Sequence, residues 1–273
     1  MQFRRKSGEA CIPGRAMRSY TGNGSARVFV ENVKPLNQVS SELFAFLRHT
    51  DTCTVSNAIE TFNVRMRNEG YVSPGVHCMT PKLPPVAGYA VTGRMRAAAP
   101  PISGLCYYQR TDWWQYVAGI HGPKILVIED DDEVPGTGGL VGELHAQIGS
   151  ALGCAGYLTN GTVRDLPALE AIGFQCFARG ACVSHSYAHV TEFGEPVEIG
   201  GLRISPGDLL HGDCNGIQSV PLSILSDLPD AVAAIRKHEA ELISFCRDPD
   251  FSFEKLEETL RADRNWSPKP EVR

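Results

Sequence analysis

Residues 142–165 read GELHAQIGSALGCAGYLTNGTVRD, and the fold turns on how this stretch divides. Leu144, Ile148, Ala151, Leu152 and Ala155 recur at helical spacing, which predicts one apolar face of an α-helix with Glu143 in its first turn. Gly153 and Gly156 end that helix, Tyr157 to Thr159 predict a strand, and Leu166, Leu169 and Ile172 open a further helix. Arg164 and Asp165 therefore stand in a strand-to-helix turn.

Outward from there, GYAVTGRMR (88–96), KILVIEDDD (124–132) and QCFAR (175–179) read as strands, and TDWWQYVAGI (111–120) reads as a helix. That alternation predicts an α/β fold. PVEIGGLRISPGDLL and GIQSVP predict short strands joined by Gly and Pro-Gly turns, a second β layer. Ser40 or Ser41 caps a helix carrying Leu43, Phe44 and Leu47, and VSNAIETF predicts another. Two amphipathic helices are expected over 230–263, with Val232, Ile235, Leu242 and Ile243 on one and Leu256 and Leu260 on the other. Residues 1–35 carry no sustained period and read as an arm, followed by a domain over 36–228 and a helical extension over 229–273.

With 273 residues, 42% hydrophobic and 21% charged, the chain has the composition of an ordinary globular protein. A net charge of -5 offers no basic field for a phosphate backbone, which argues against nucleic acid as a partner. Nine scattered cysteines without a C-x-x-C pair suggest reduced, mostly buried thiols, neither a disulfide framework nor a zinc ribbon. Arg4, Arg5 and Lys6 precede no apolar run, and no later stretch reaches membrane-spanning length, so the expectation is a cytoplasmic protein without a membrane partner.

In an α/β layer, loops leaving the carboxyl ends of strands share one edge, where helix amino termini present N–H groups. EVPGTGGLVGEL leaves such an end as a glycine-rich loop feeding a helix, so its amides are candidates to hold a carboxylate or phosphate. The second segment places Arg164, a planar fork suited to carboxylates, beside Asp165, a hard oxygen ligand for Mg²⁺ or Mn²⁺. Together they would grip a metal-bound keto acid.

GELHAQIGSALGCAGYLTNGTVRD, followed by PVEIGGLRISPGDLLHGDCNGIQSVP, resembles the RraA-like family, and DTCTVSNAIETF and AGYAVTGRMR resemble its amino-terminal segments. The resemblance spans roughly residues 40–225. It implies a β/β/α swivelling-type sandwich with helical terminal extensions. It also implies a class II aldolase acting on 4-hydroxy-4-methyl-2-oxoglutarate or 4-carboxy-4-hydroxy-2-oxoadipate, with oxaloacetate decarboxylase chemistry, working as a trimer or hexamer with sites between subunits. The family pattern of an acid, twenty residues, then Arg-Asp is met by Glu143, Arg164 and Asp165. By that resemblance Gly142, Glu143, Leu144 and His145 line the substrate pocket, Arg164 binds the pyruvyl carboxylate and enolate, Asp165 anchors the divalent ion, and Glu143 acts on its water. A neighbouring subunit would lend a carboxylate, with Glu239 and Glu241 among the candidates. Asn160 and Asn57 stand where the family often has Asp. RraA itself implies a second reading, a non-catalytic protein that binds an RNA-degrading enzyme.

Other residues read more plainly. His185 and His189 lie in an extended ACVSHSYAHVTEF, where a four-residue step does not bring two imidazoles to one zinc. Asp208 and Asp213 in PGDLLHGD are expected to hold backbone N–H groups. Trp113 and Trp114 read as core or interface aromatics, and Glu129 to Asp132 as solvated acids. The glycines of EVPGTGG do not give G-x-G-x-x-G, which excludes the dinucleotide fingerprint.

Overall fold

The computed structural model describes residues 39–263, apart from 103 and 105–108; the expected amino-terminal arm lies outside these residues. The chain runs α1 (Ser41–Arg48), α2 (Thr52–Thr61), β1 (His77–Cys78), β2 (Val86–Arg96), α3 (Thr111–Gly119), β3 (Lys124–Asp130), α4 (Glu143–Ala151), β4 (Cys154–Thr159) and β5 (Thr162–Val163). It continues through α5 (Leu166–Ile172), β6 (Gln175–Ala178), β7 (Gly180–Ala181), β8 (His189–Phe193), β9 (Val197–Ile199), β10 (Leu202–Ile204), β11 (Leu209–Asp213), β12 (Gly216–Ser219), α6 (Leu228–Cys246) and α7 (Phe253–Asp263).

The main sheet has the order β1-β6-β4-β3-β2-β11-β12. Strands β2, β3, β4 and β6 are parallel neighbours, so their carboxyl ends share one edge. At eleven residues β2 is long enough to serve two partners in turn on its far side, β11 against residues 86–89 and β8 against residues 93–96.

Side-chain alternation sorts the sheet's residues into two layers. Val91, Leu126, Ile128, Tyr157 and Cys176 point to the face covered by α3, α4 and α5, where Trp113, Tyr116, Ala146, Leu169 and Phe174 meet them. Ala90, Ile125, Val127, Leu158 and Phe177 point to the opposite face, against Val197, Ile199, Leu202 and Ile204 of the β9–β10 hairpin. The result is helices, sheet and hairpin in that order, the expected β/β/α sandwich. At the β2–β11 end of the helical face, Ala87, Tyr89 and Leu209 pack beneath α1, α2 and the first half of α6.

Local chemistry explains the ends of these elements. Ser40 caps α1 through Leu43 N, and Asp51 caps α2 through Thr54 N at 2.8 Å. Asp213 holds α2 to β11 by accepting from Thr52 N at 2.8 Å and from the Thr52 hydroxyl, and Asp208 accepts from Ser205 N at 2.7 Å, as the turn chemistry suggested. The acids closing β3 differ from expectation. Asp130 is buried and accepts from Gly136 N, Asp132 accepts from Ala97 N and Ala98 N, and Glu129 and Asp131 pair with Arg94 and Arg96. Each bridges β3 or its exit loop to a neighbouring segment.

Helix α4 is also turned from its expected orientation. Its buried residues are His145, Ala146 and Gly149, whereas Leu144 is 55% exposed and Ala155 belongs to β4. A methyl at Gly149 would make ordinary contact with Leu126 Cδ1, at 3.4 Å, so this side of the helix lies directly against the sheet.

Candidate functional site

Asp165 adopts φ +56°, ψ +40°, the left-handed region that a non-glycine residue enters at a cost of about 1 kcal/mol. It precedes α5 yet makes no side-chain cap to that helix; its Oδ2 instead accepts from Glu143 N at 3.0 Å, across at the start of α4. The left-handed turn thus aims the carboxylate from one strand-to-helix junction to the next. Gly142 makes this possible. Its backbone is extended, so any residue could adopt it, but a methyl there would stand 2.4 Å from Asp165 Oδ2.

Arg164 enters the site by a backbone bond to Val141 O at 2.9 Å, and its stem crosses Gly139, where a methyl would lie 2.9 Å from Arg164 Cγ. Its guanidinium is partly exposed and stands 3.9 Å from Asp165 Oδ1. Gly142 stands at the cap position just before α4 and brings no side chain to its first-turn N–H groups. A guanidinium, a carboxylate and a helix amino terminus therefore come together at one edge of the sheet.

The sequence-predicted residues fall into two groups. Gly142, Glu143, Arg164 and Asp165 come together, with the Glu143 side chain exposed. His145 points the other way: fully buried, it lies 4.7 Å from the Trp114 ring, so only its backbone belongs to the α4 terminus. The glycine loop corrects a second expectation, because Gly136 N is bound by Asp130 and Gly139 N by Ser184 O, and neither amide is open to a ligand. Asn160 brackets the backbone of Asp130, donating to its carbonyl at 3.1 Å and accepting from its N–H at 2.7 Å. Asn57 instead lines a cavity of about 200 Å³ between α2 and α6 with Glu60, Thr61, Ile235, His238 and Glu239. Glu239 and Glu241 are both exposed on α6. Cys182 and Ser184, which buttress Gly139 from the β7 exit, were not singled out in the sequence; four glycines within seven residues, 136–142, were the available sign of such close packing.

Burial alone pushes the His145 imidazole down from 6.5 to about 3. The folded state then binds the neutral ring, so the contribution is complete above pH 6.5 and is lost as pH falls from 6.5 toward 3. Between pH 6.5 and 5 the loss is about 2 kcal/mol. Denaturant unfolding at pH 7 and pH 5 is expected to show that drop in the wild-type chain and a shallower one in His145→Leu.

These features define an α/β protein of the β/β/α sandwich class with an arginine, an aspartate and a helix amino terminus gathered at the carboxyl ends of its parallel strands. The RraA-like family model, described as Aldolase/RraA, matches residues 52–218, and the chain belongs to that family. A relative from Halalkalibacterium halodurans is 33% identical over 31% of this chain and 41% of its own, and one from Photobacterium profundum is 32% identical over 37% and 64%. Both carry the provisional name 4-hydroxy-4-methyl-2-oxoglutarate aldolase. The matched stretch thus spans less than two thirds of each. Among solved structures, an uncharacterized protein from Pseudomonas syringae superposes with a TM-score of 0.64 at 18% identity, over 82% of this chain and 96% of that one. RraAS2 of Streptomyces coelicolor, described as an unusual member of the RNase ES inhibitor RraA family, gives 0.58 at 21%, over 77% and 98%. At these identities both likenesses speak to the fold.

Proposed function

We propose that the protein is a divalent-metal-dependent carbon-carbon lyase acting on 2-keto acids, as an aldolase of 4-hydroxy-2-oxo acids and a decarboxylase of oxaloacetate. The observation that carries this reading is the left-handed Asp165, which brings its carboxylate to the α4 terminus beside the Arg164 guanidinium. The names of the two curated relatives support it.

Among the described residues no group of three metal-ligating side chains occurs. A single aspartate with a partly exposed side chain suits Mg²⁺ or Mn²⁺, which keep several waters, and does not suit a zinc cage. Asp165 would hold such an ion, whose charge polarises the keto carbonyl when bound. The rest of the work falls to the chain. Arg164 pairs with the keto acid's carboxylate and faces the negative charge that develops on the enolate oxygen. The α4 terminus, from Gly142 through the backbone of Leu144 and His145, orients the same carboxylate. Glu143, with its side chain in solvent, orders water at the mouth. Assembly into a trimer or hexamer belongs to the same reading, and light scattering measures it.

The test is a coupled pyruvate assay with oxaloacetate and Mg²⁺, with and without chelator. Turnover that chelator abolishes supports the lyase. A non-catalytic RraA-type binder would give none above the metal-only background. Gly142→Ala probes the geometry, since the new methyl must displace the Asp165 carboxylate; kcat/KM is expected to fall roughly 100-fold while circular dichroism and Tm stay near wild type.

A further inference from the structure

We infer that Asp130 is a positioning residue for the proposed site: its buried carboxylate closes the β3 exit loop so that Gly142 and Glu143 arrive in register with Arg164 and Asp165. The inference rests on the reading of the site given above.

The two halves of the site leave the sheet side by side and follow paths of unequal length. Strands β3 and β4 are parallel neighbours, and their carboxyl ends are latched together. Asn160 accepts from Asp130 N at 2.7 Å and donates to Asp130 O at 3.1 Å. From that latch the β4 side reaches Asp165 within a few residues, whereas the β3 side takes a much longer path to Glu143. Yet the two paths meet again in step. Gly139 pairs with Thr162 as a parallel bridge, Arg164 N donates to Val141 O at 2.9 Å, and Glu143 N donates to Asp165 Oδ2 at 3.0 Å. Gly138 packs so closely on the His185 carbonyl that a methyl would stand 2.4 Å from its oxygen, which leaves no slack there. The surplus chain has to be taken up before Gly138.

The Asp130 carboxylate takes it up. Oδ2 accepts from Gly136 N at 2.7 Å and Oδ1 from Asp132 N at 3.2 Å, so residues 131–136 fold into a loop closed on the strand they leave. Gly136 is thereby delivered against the β4 exit, where its carbonyl accepts from the Thr162 hydroxyl at 3.4 Å. The fit is tight on that side too, since a methyl on Gly161 would stand 2.8 Å from Asp130 Oδ2. Closing the loop at one point removes the freedom by which its register with 162–165 could slip.

The kind of group used for this closure is informative. Exposed turns are closed by Asn, Ser or a solvated Asp without penalty. Asp130 is 2% exposed, and burial pushes its pKa up against the amide bonds from Gly136 and Asp132 that pull it down, with the nearby charges of Asp132 and Asp131 adding to the rise. An ionised carboxylate offers two acceptor oxygens and no donor, which is what two converging N–H groups require. Its amide counterpart would set a donor against one of them.

The test is kinetic, on the Mg²⁺-loaded protein with oxaloacetate, and compares Asp130→Asn and Gly136→Ala with Asp213→Asn. Gly136→Ala reaches the same bond from the other partner, because φ +102° is strained for a residue with a Cβ. Asp213 is also a buried carboxylate that accepts from backbone, but its strand pairs with the first residues of β2, at the end of the sheet away from the site. Asp130→Asn and Gly136→Ala are each expected to lower kcat/KM by about 30- to 100-fold with native circular dichroism. Both should also weaken binding of oxalate, a planar dianion of the enolate's shape, by about 10-fold or more in calorimetry. Asp213→Asn should lower Tm yet keep kcat/KM within a few-fold. Retained kcat/KM in either loop variant overturns the inference, and so does a loss of activity that tracks Tm alike in Asp130→Asn and Asp213→Asn. If Asp130→Asn does not fold, Gly136→Ala decides by the same measurements. A wild-type protein inert on oxaloacetate sinks the reading of the site itself, and this inference with it.

Discussion

Asp165→Ala and Arg164→Ala are each expected to lower Mg²⁺-dependent pyruvate release by about 100- to 1,000-fold, the scale of losing one preorganised charge-stabilising group, roughly 3 to 4 kcal/mol. The two variants should fail differently. Without Arg164 the substrate carboxylate loses its fork and the enolate its counter-charge, so KM rises and kcat falls together. Without Asp165 the left-handed turn loses the residue that justified it and Glu143 N loses its acceptor; the apparent affinity for Mg²⁺ should fall along with kcat. Asp165→Asn is the sharper probe, because Asn tolerates the same backbone conformation and still offers an acceptor to Glu143 N, while its neutral oxygen holds a hard cation poorly. Wild-type rates in both alanine variants, measured by coupled pyruvate assay, would overturn the lyase reading.

The largest effect on stability is expected at Trp113→Ala, a loss of about 3 to 5 kcal/mol. Trp113 is fully buried, with its ring 5.9 Å from Tyr116 and 5.7 Å from Phe193, and its edge 3.3 Å from where a methyl on Gly93 would stand. Removing the indole takes away the filler between α3, β2 and β8, and a strand backbone that carries glycine at that point cannot collapse into the space. A fall in Tm of roughly 10 °C or more follows for a chain of this size. Trp113→Phe should cost less, since it keeps an aromatic ring and removes an indole N–H that has no hydrogen-bond partner among the described residues. Chemical denaturation at unchanged m-value is the check.

Much of the fold was legible in local chemistry. Ser40 before an apolar helical face, the apolar run KILVIED and the Gly153 turn each correspond to an observed cap, strand and helix end. Where the reading of local pattern failed, long-range contact was the reason. Spacing put Leu144 on the buried face of α4, whereas the packed face carries His145, Ala146 and Gly149, turned to the sheet and to Trp114 of α3. Glu129 and Asp132 looked like solvated acids because their partners, Arg94 and the Ala97 and Ala98 amides, lie over thirty residues away. His145 followed the family pattern into the pocket as a residue, yet its ring is committed to the core beside Trp114.

The candidate site divides along the same line. Sequence alone determined that an acid, a helix, a strand and an Arg-Asp turn recur at one edge of an α/β layer, because periodicity and glycine punctuation are local and set which segments are helix, strand or turn. Only the tertiary structure decided which atoms meet. The Asp165 carboxylate reaches Glu143 N, Gly142 must lack a side chain, the loop amides of Gly136 and Gly139 are already taken, and His185 comes to rest on the glycine loop. Each of these depends on two segments distant in the chain sharing a few ångströms, and that distance is set by how the sheet packs its neighbours rather than by the order of residues along any one of them.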